Sequence, residues 1–217
     1  MRHKIVGIHG KAGSGKDTAA KILCEHTPSH VVAFADPMKR WAKETFKFSD
    51  DQLWGPSESR NKPDPRYPRA DGTFLTPREV LQRLGTEVGR ACYPAIWTEV
   101  GLDTARKLQT ETMFESSRWK YTSQNGPEIV QAVDFDSPRV QPVIFTDVRF
   151  DTEIAGLTKV GAVLIKIKRP ETSLFGAFAQ HASEIELPDE LFDFVVNNND
   201  TLDHFERLVH NHADVIF

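Results

Sequence analysis

A glycine-rich segment near the start of the chain has the residue types and spacing of a loop that binds phosphate. Residues 10–18 read Gly-Lys-Ala-Gly-Ser-Gly-Lys-Asp-Thr and follow the apolar run 5–9 directly, so the G-x-x-x-x-G-K pattern lies between a predicted strand and a predicted helix. Gly10, Gly13 and Gly15 can adopt backbone angles that a β-carbon forbids, which lets N–H groups turn toward phosphate oxygens. The helix N-terminus adds a positive dipole, and Lys16 would reach the β- and γ-phosphates of a nucleotide.

The residue after the lysine departs from the full pattern. Asp17 stands where the pattern has Ser or Thr. A glycine-rich turn with an incidental lysine is the alternative interpretation. The strand and helix on either side favour a phosphate loop over this alternative. The aspartate at position 17 limits the classes of phosphate-loop protein to which the chain could belong.

A second candidate site follows a later apolar run. The run 143–146 ends in Asp147, and Arg149 comes two residues later. In phosphate-loop enzymes an acidic residue at the end of a neighbouring strand helps to hold Mg²⁺, often through water. The planar guanidinium of Arg149 suits a pair of phosphate oxygens and would offset charge that develops during transfer. The alternative is an aspartate that caps the next turn and an arginine in solvent.

The second predicted strand, 30–35, leads into a helix that begins with acidic and basic residues. Asp36 suits the N-cap and Pro37 the first helical position, so local folding alone explains both. Lys39 and Arg40 lie one turn into this helix, where either could reach a substrate phosphate. Further along, a proline-interrupted segment is rich in cations that could clamp an anionic substrate, although an ordinary solvated loop is the alternative. These cations are Arg60, Lys62, Arg66 and Arg69.

A helix is predicted over 76–91, with a strong start signal and two distinct faces. Thr76 is its predicted N-cap, Pro77 its first residue and Glu79 the acid of a capping box. Spacing by four puts a polar set on one face: Gln82, Thr86 and Arg90. An apolar set occupies the face predicted to be buried: Leu81, Leu84 and Val88.

Two glycines interrupt this helix. Gly85 and Gly89 each cost about 1 kcal/mol of helix stability relative to Ala. That cost makes sense if something approaches the helix closely. A flat base whose edge meets Gln82 and Thr86 is one interpretation, and close packing against another helix is the other.

Strands and helices alternate along most of the chain, which predicts an α/β fold with a parallel sheet covered on both faces. Strand-like runs fall at about 4–9, 30–35, 142–148, 162–168 and 193–197, and helical patterns at about 16–26, 36–47, 150–159 and 201–213, the last with an N-cap at Asp200-Thr201. Ligands of such folds bind at the carboxyl ends of the strands, where the glycine-rich loop lies. Residues 49–75 break the alternation and lead into helices at 76–91 and 94–117, while 118–141 is predicted to be a polar surface loop.

Length and composition predict one ordinary globular domain over residues 1–217, and the glycine-rich motif predicts that it is a P-loop domain. The formal net charge of −4 argues against a general duplex-binding surface. Two cysteines, Cys24 and Cys92, are too few for a disulfide framework, so a reducing compartment is expected. The absence of a signal peptide or an apolar run of membrane-spanning length predicts a cytoplasmic protein.

Three classes of phosphate-loop protein compete. A GTP-binding switch needs an Asn-Lys-x-Asp loop, whereas residues 197–200 read Asn-Asn-Asn-Asp. A motor or helicase-like ATPase would normally be longer and keep Ser or Thr after the lysine. A small-molecule kinase needs a second substrate site, for which 49–117 has room. Kinases of the dephospho-coenzyme A or phosphomevalonate type, and a module that hydrolyses ATP slowly to switch partners, remain alternatives.

Short segments along the chain resemble, in order, the phage-type deoxynucleoside monophosphate kinases of the P-loop nucleoside monophosphate kinase superfamily. They are 34–39 (Phe-Ala-Asp-Pro-Met-Lys), 53–55 (Leu-Trp-Gly), 76–79 (Thr-Pro-Arg-Glu), 82–90 (Gln-Arg-Leu-Gly-Thr-Glu-Val-Gly-Arg), 147–150 (Asp-Val-Arg-Phe), 181–184 (His-Ala-Ser-Glu) and 197–200. The resemblance spans nearly the whole chain except 118–141. Gly-Lys-Asp-Thr is the form that the loop takes in that family, so Asp17 is expected there. Adenylate kinases similarly carry Thr one place later, where Thr18 stands.

The resemblance implies transfer of the γ-phosphoryl group of ATP to a deoxynucleoside 5′-monophosphate, with Mg²⁺. The residues that would hold ATP are Gly10, Gly13, Ser14, Gly15, Lys16, Asp17 and Thr18. Lys16, Asp147 and Arg149 would be catalytic, and Asp17 and Asp147 would position the metal directly or through water. The residues that would bind the monophosphate are Asp36, Lys39, Arg69, Gln82, Thr86, Arg90, Trp97 and Arg149.

The resemblance also predicts an inserted monophosphate-binding subdomain at 49–117 and a lid at 170–187. His181 would lie in that lid, but a lone histidine is more often structural. ATP and the monophosphate are the expected partners, with neither a nucleic-acid polymer nor a membrane, and a homodimer is left open. The expected location is the cytoplasm, that of the host cell if a phage encodes the chain.

Overall fold

The computed structural model describes residues 5–110, 118–122, 126–130, 141–170 and 187–217. Within these ranges the strands are β1 (Ile5–His9), β2 (His30–Val32), β3 (Arg118–Thr122), β4 (Gly126–Val130), β5 (Val143–Val148), β6 (Val163–Lys168) and β7 (Phe194–Asn197). The α-helices are α1 (Lys16–His26), α2 (Asp36–Phe46), α3 (Asp50–Trp54), α4 (Ser57–Asn61), α5 (Pro77–Gln82), α6 (Ile96–Thr110), α7 (Asp151–Lys159) and α8 (Leu202–Ile216). A π-helix spans Arg83–Arg90 and a 3₁₀ turn spans Asp189–Leu191.

Five of the strands form one parallel sheet in the order β2-β5-β1-β6-β7. The predicted α/β fold with a five-stranded parallel sheet is therefore confirmed. β1 lies in the middle, between β5 and β6, so the segment that follows it leaves the sheet at the centre of its carboxyl edge. This is the place where ligands bind in open α/β sheets.

Helices cover both faces of this sheet. Successive residues of a strand point to opposite faces, so neighbouring residues of β1 pack against different helices. Val6 and Ile8 of β1 are buried in one apolar cluster with residues of α1 and α8, such as Leu23 and Phe205. Gly7 points to the other face, where a β-carbon would lie 2.7 Å from Leu157 of α7. Leu157 is itself fully buried, and it closes that side of the sheet over β1.

The chain divides into two compact units. The first contains the sheet and comprises residues 1–33 and 98–217. The second spans Phe34–Trp97 and has its own apolar cluster around Ala42, Phe48, Leu53 and Val80. In this unit Thr76 caps α5 as predicted, because its hydroxyl accepts a hydrogen bond from the Glu79 N–H at 3.2 Å.

The start of α2 differs from the prediction. β2 ends at Val32 rather than near residue 35, and Ala35 is the N-cap. Asp36 is the first helical residue, so the prediction that it caps the helix is wrong. Its buried carboxylate instead accepts a hydrogen bond from the Trp54 indole N–H at 3.2 Å.

The predicted helix over 76–91 changes character at Arg83. The π-helix that follows α5 replaces the spacing of three and four residues on which the predicted faces depend, because its hydrogen bonds reach one residue further. Leu81 and Leu84 pack against the cluster of the second unit, but Val88 is 54 % exposed. The prediction that Val88 belongs to the buried face is therefore wrong.

The segment 118–141 is not simply a loop. Strands β3 and β4 pair antiparallel, with Trp119 opposite Ile129 and Thr122 opposite Gly126. Aromatic and apolar residues in alternation on either side of an Asn-Gly turn favour such a hairpin, a signal that the prediction of a surface loop overlooked. Residues 123–125 and 131–140 lie outside the described part of the chain, as do 111–117 of the helix predicted over 94–117.

Candidate active site

The glycine-rich loop joins β1 to α1, and its glycines are required by its shape. Gly13 and Gly15 have φ angles of 77° and 103°, a region that favours glycine. At Gly10 a β-carbon would lie 2.5 Å from the Ser14 hydroxyl oxygen and 2.6 Å from the carbonyl oxygen of Ile167. A side chain at any of these three positions would therefore distort the loop.

Lys16 turns its ammonium group back into this loop. The Nζ donates hydrogen bonds to the carbonyl oxygens of Gly10 at 2.6 Å and Lys11 at 2.7 Å, and the side chain is buried. The two carbonyl oxygens thus hold the Lys16 ammonium inside the loop. In loops of this shape that bind phosphate, the backbone N–H groups surround the anionic oxygens at the same place. Asp17 is exposed and Thr18 half-buried at the start of α1.

The last two residues of β5 and Arg149 after them, here called the Asp147–Arg149 turn, lie beside this loop, because β5 pairs with β1 and both strands end at the same edge. The register sets His9, the last residue of β1, against Val148. The His9 Nδ1–H donates to the carbonyl oxygen of Val148 at 2.8 Å. The half-buried side chains of Asp147 and Arg149 flank that bonded residue. Within the first unit the structure therefore brings together Lys16, Asp147 and Arg149, which the sequence predicts to be catalytic.

A buried glutamate fixes the other side of the turn. The Glu153 carboxylate, on α7, accepts hydrogen bonds from the backbone N–H of Arg149 at 2.6 Å and of Phe150 at 3.1 Å. Sequence reasoning missed this residue, although a glutamate in the first turn of a helix is the usual partner for N–H groups before it. Glu153 thus fixes the backbone position of Arg149.

His9 is uncharged at neutral pH. Burial lowers the pKa of His9 to about 4, an effect that the nearby cations Lys166, Lys16 and Arg149 reinforce and the Val148 hydrogen bond opposes. The imidazole also stacks on Phe192, with ring centroids 5.1 Å apart. Sequence reasoning assigned His9 no role. The available signal was a polar residue that ends an apolar strand immediately before Gly10.

A cavity of about 310 Å³ adjoins the loop within the first unit. The charged residues that line it are all cations: Lys11, Lys166, Lys168 and Arg169. The Arg169 guanidinium is near the loop, 3.5 Å from the Gly13 carbonyl oxygen. This volume is at the lower end of the range for sites that hold small molecules, and its charge suits an anionic ligand.

The two carboxylates predicted to hold a metal are compatible with Mg²⁺ but not with an all-protein cage. Among the described residues no group of three or more His, Cys, Asp or Glu could hold a metal ion. Mg²⁺ at phosphate-transfer sites commonly keeps several waters and takes only one or two carboxylates plus phosphate oxygens. An exposed Asp17 and a half-buried Asp147 suit that mode of binding.

The second unit carries most of the residues predicted to bind the monophosphate. Asp36 holds Trp54, and the Lys39 ammonium lies 4.0 Å from the Asp36 carboxylate and 5.6 Å from the centre of the Trp54 ring. Arg69 forms an ion pair with Glu79. Glu79 therefore pairs with arginine and does not complete the predicted capping box.

Side chains of the protein itself pack closely against the two glycines of the π-helix and leave little room for a β-carbon there. A β-carbon at Gly89 would lie 2.4 Å from the Trp97 ring, and one at Gly85 would lie 3.1 Å from the Met38 sulfur. The Trp97 indole N–H donates to the Gly85 carbonyl oxygen at 2.9 Å, and Arg90 donates to the same oxygen at 3.4 Å. Trp97 therefore packs on the helix, as the packing interpretation of these glycines expects.

Gln82 differs from these neighbours. Its buried side-chain Nε2 has no hydrogen-bond partner among the described residues. Thr86 is half-buried on the same helical segment. The segment 181–184, His181 included, and the predicted lid from 171 to 186 lie outside the described residues.

Comparison with known proteins identifies the family. A protein of Acanthamoeba polyphaga mimivirus that carries the provisional name deoxynucleotide monophosphate kinase is 30% identical to this chain, over 93% of this chain and 91% of its own length. The chain belongs to the deoxynucleotide monophosphate kinase family. The predicted resemblance to phage-type kinases is thereby confirmed, and the protein is an enzyme of this type.

Other comparisons agree with this family or add no argument to it. The deoxynucleoside-5′-monophosphate kinase of Escherichia phage T5 is 25% identical over 97% of this kinase and 96% of its own length. No protein-family model matches the chain. The alignment with the crystal structure of a Thermus thermophilus protein covers 100% of this chain and 100% of that one, with a TM-score of 0.47 and 16% identity. No helix among the described residues of this kinase is long and apolar enough to cross a bilayer.

Proposed function

We propose that the enzyme transfers the γ-phosphoryl group of ATP to a deoxynucleoside 5′-monophosphate and releases ADP and the deoxynucleoside diphosphate. The observation that carries the proposal is the arrangement at the sheet edge. Lys16 is held in a glycine-rich loop of the kind that binds phosphate. The Asp147–Arg149 turn is hydrogen-bonded to His9, the last residue of the strand before that loop. The mimivirus and phage T5 relatives are, by name, kinases of the same class of acceptor.

The chemistry needs little from the protein beyond position and charge. An oxygen of the acceptor phosphate attacks the γ-phosphorus of ATP, and the bond to the β–γ bridging oxygen breaks, so ADP leaves with the electron pair. The acceptor phosphate is already ionised at neutral pH, so no general base is required. Lys16 and the loop N–H groups would hold the donor phosphates, and Arg149 would bind the oxygens of the transferring group.

Asp17 and Asp147 would hold Mg²⁺ together with water and the phosphates. The ion supplies further neutralisation of phosphate charge when it is bound. Thr18 and Ser14 would support the loop around the donor. The residue types and their positions at one end of the first unit support these roles.

The acceptor would bind to residues of the second unit. The buried Gln82 Nε2, for which the described part of the chain offers no hydrogen-bond partner, supports this assignment, since such a donor is costly unless another group accepts its hydrogen bond. Thr86 and Trp97 would line the base, while Lys39, Arg69 and Arg90 would supply positive charge for the phosphate. Asp36 would act by holding Trp54 and Lys39 in place.

A panel of acceptors tests this function. The purified enzyme is given Mg-ATP and, in separate reactions, each deoxynucleoside monophosphate, each ribonucleoside monophosphate, dephospho-coenzyme A or phosphomevalonate, and ADP release is followed. We expect one or more deoxynucleoside monophosphates to give the largest acceleration. Acceleration by another acceptor alone would show a different small-molecule kinase, and slow ADP release that no acceptor changes would show an ATP-dependent switch.

A further inference from the structure

We propose that Asn198 is a positioning residue that orients the Ser14–Gly15 peptide of the phosphate loop. This rests on the proposed function only in that the loop binds the phosphates of ATP. Asn198 follows β7 and is far from the loop in sequence. Its side-chain Nδ2 donates a hydrogen bond to the carbonyl oxygen of Ser14 at 2.9 Å.

The bond acts on the loop through the planarity of the peptide group. In a trans peptide the C=O of one residue and the N–H of the next point in opposite directions. An Asn198 amide that holds the Ser14 C=O therefore directs the Gly15 N–H away from Asn198. Phosphate loops bind anions through N–H groups that are aimed in advance, and such donors need no reorganisation when charge arrives.

Gly15 leaves the space that Asn198 occupies. A β-carbon at Gly15 would lie 2.6 Å from the Asn198 Nδ2, and the φ angle of 103° independently favours glycine. Glycine at position 15 is therefore favoured for two reasons. It allows the positive φ angle of the loop, and it leaves room for the Asn198 amide. Phe205 of α8 packs near the same point, 3.5 Å from where that β-carbon would be.

Asn198 is itself held by the sheet. Its backbone N–H donates to the Lys168 carbonyl oxygen at 2.7 Å, and the residue before it, Asn197, pairs with Lys168 at the end of β6 and β7. Val196, two residues earlier, is buried in the core. The asparagine amide therefore links the Ser14–Gly15 peptide of the loop to the end of the sheet.

An amide is the side chain that fits this position. An aspartate of the same shape would turn a carboxylate oxygen toward the Ser14 carbonyl oxygen, and two acceptors repel each other. An alanine would remove the donor without adding charge. Comparison of the two substitutions therefore separates loss of the hydrogen bond from the effect of a negative charge near the phosphates.

The test measures ATP binding and turnover in Asn198→Ala, Asn198→Asp and Asn211→Asp. Asn211→Asp makes the same chemical change at an exposed position of α8 and serves as the matched control. We expect each Asn198 variant to raise the Kd for ATP by about tenfold or more and to lower kcat, with Asn198→Asp the worse of the two. The Kd for the acceptor should stay within about twofold, and thermal unfolding should show a folded protein.

Three outcomes distinguish the proposal from its alternatives. A purely structural role would lower the unfolding temperature and weaken both ligands together, and would overturn it. ATP binding and kcat equal to those of the wild type in both Asn198 variants would also overturn it. If the wild type phosphorylates no acceptor, the proposed function fails, but the ATP Kd still decides the role of Asn198.

Discussion

The imidazole Nδ1 of His9 is 2.8 Å from the carbonyl oxygen of Val148, so the last residue before the glycine-rich loop is hydrogen-bonded to the residue between Asp147 and Arg149. The loop and the turn are therefore parts of one hydrogen-bonded edge. The bond also fixes the tautomer, because Nδ1 must carry the proton to donate it. His9 cannot take a second proton without placing a charge in a buried site beside three cations.

Stability should fall in mild acid because of His9. Since its pKa is about 4 in the folded protein and near 6.5 when unfolded, the unfolded chain binds the proton first as pH falls. The contribution of neutral His9 is complete above pH 6.5 and is lost as the pH falls toward about 4, with a change of roughly 3 kcal/mol. Urea unfolding between pH 7.5 and about pH 4 measures it.

His9→Asn is the control for that experiment, because its amide can still donate to Val148 but does not titrate. Burial also lowers the pKa of His30, so some dependence on pH should remain in the variant. The wild type should lose more stability than His9→Asn over this range. Equal losses in the two proteins would contradict a neutral, buried His9.

Glu153→Gln should loosen the Asp147–Arg149 turn. Both backbone N–H groups donate to the same carboxylate oxygen, Oε2, in a fully buried site. The neutral amide oxygen of glutamine would accept these bonds more weakly, and its NH₂ group would replace the other carboxylate oxygen. We expect the free energy of unfolding to fall by about 1–3 kcal/mol and kcat to fall as well. Glu190→Gln, at an exposed residue of the 3₁₀ turn, should change neither quantity, and a Glu153→Gln enzyme with wild-type kcat would show that the turn does not depend on this clamp.

Lys16→Ala should abolish measurable transfer while the protein remains folded. Removal of one charged group that stabilises the transferring phosphates costs roughly 10²–10³-fold in kcat or more. Lys21→Ala is matched to it, since Lys21 is on the same helix but is exposed and pairs with Glu25 across one turn. Both variants should unfold cooperatively, and near-normal activity of Lys16→Ala would remove the loop from the mechanism.

Gly89→Ala should destabilise the protein only while Trp97 is present. Alanine is the better helix former by about 1 kcal/mol, but its β-carbon would lie 2.4 Å from the indole, and such overpacking typically costs about 1–3 kcal/mol. In a Trp97→Leu background the same substitution should be neutral or stabilising. A thermal or urea double-mutant cycle gives this coupling, and additive effects would contradict the close packing of Trp97 on Gly89.

The sheet and the position of the glycine-rich loop between a strand and a helix could be predicted from sequence because local rules decide them. Apolar runs such as 143–146 mark buried parallel strands, and the glycine spacing from Gly10 to Gly15 directly after a strand predicts a tight loop that leads into a helix. The hydrogen bonds of His9, Glu153 and Asn198 could not be predicted in this way. Each joins residues that the fold brings together, and no spacing in the chain records which carbonyl or N–H a buried polar side chain will meet.

The second unit was harder to predict for a related reason. Its helix over 76–91 reads as an ordinary amphipathic helix, but the change to a π-helix at Arg83 alters which side chains share a face. Val88 is exposed in consequence. Gly89 fits either a bound base or a packed side chain by sequence, and only the position of Trp97 decides between them.

The central claim is tested most directly by following the γ-phosphoryl group itself. ATP labelled with ³²P at the γ-position is incubated with Mg²⁺, the enzyme and each of the four common deoxynucleoside monophosphates, and the products are separated by thin-layer chromatography. The account predicts that the label appears in at least one deoxynucleoside diphosphate, and that Lys16→Ala gives none above background. Label that appears only as inorganic phosphate, whichever acceptor is present, would contradict it.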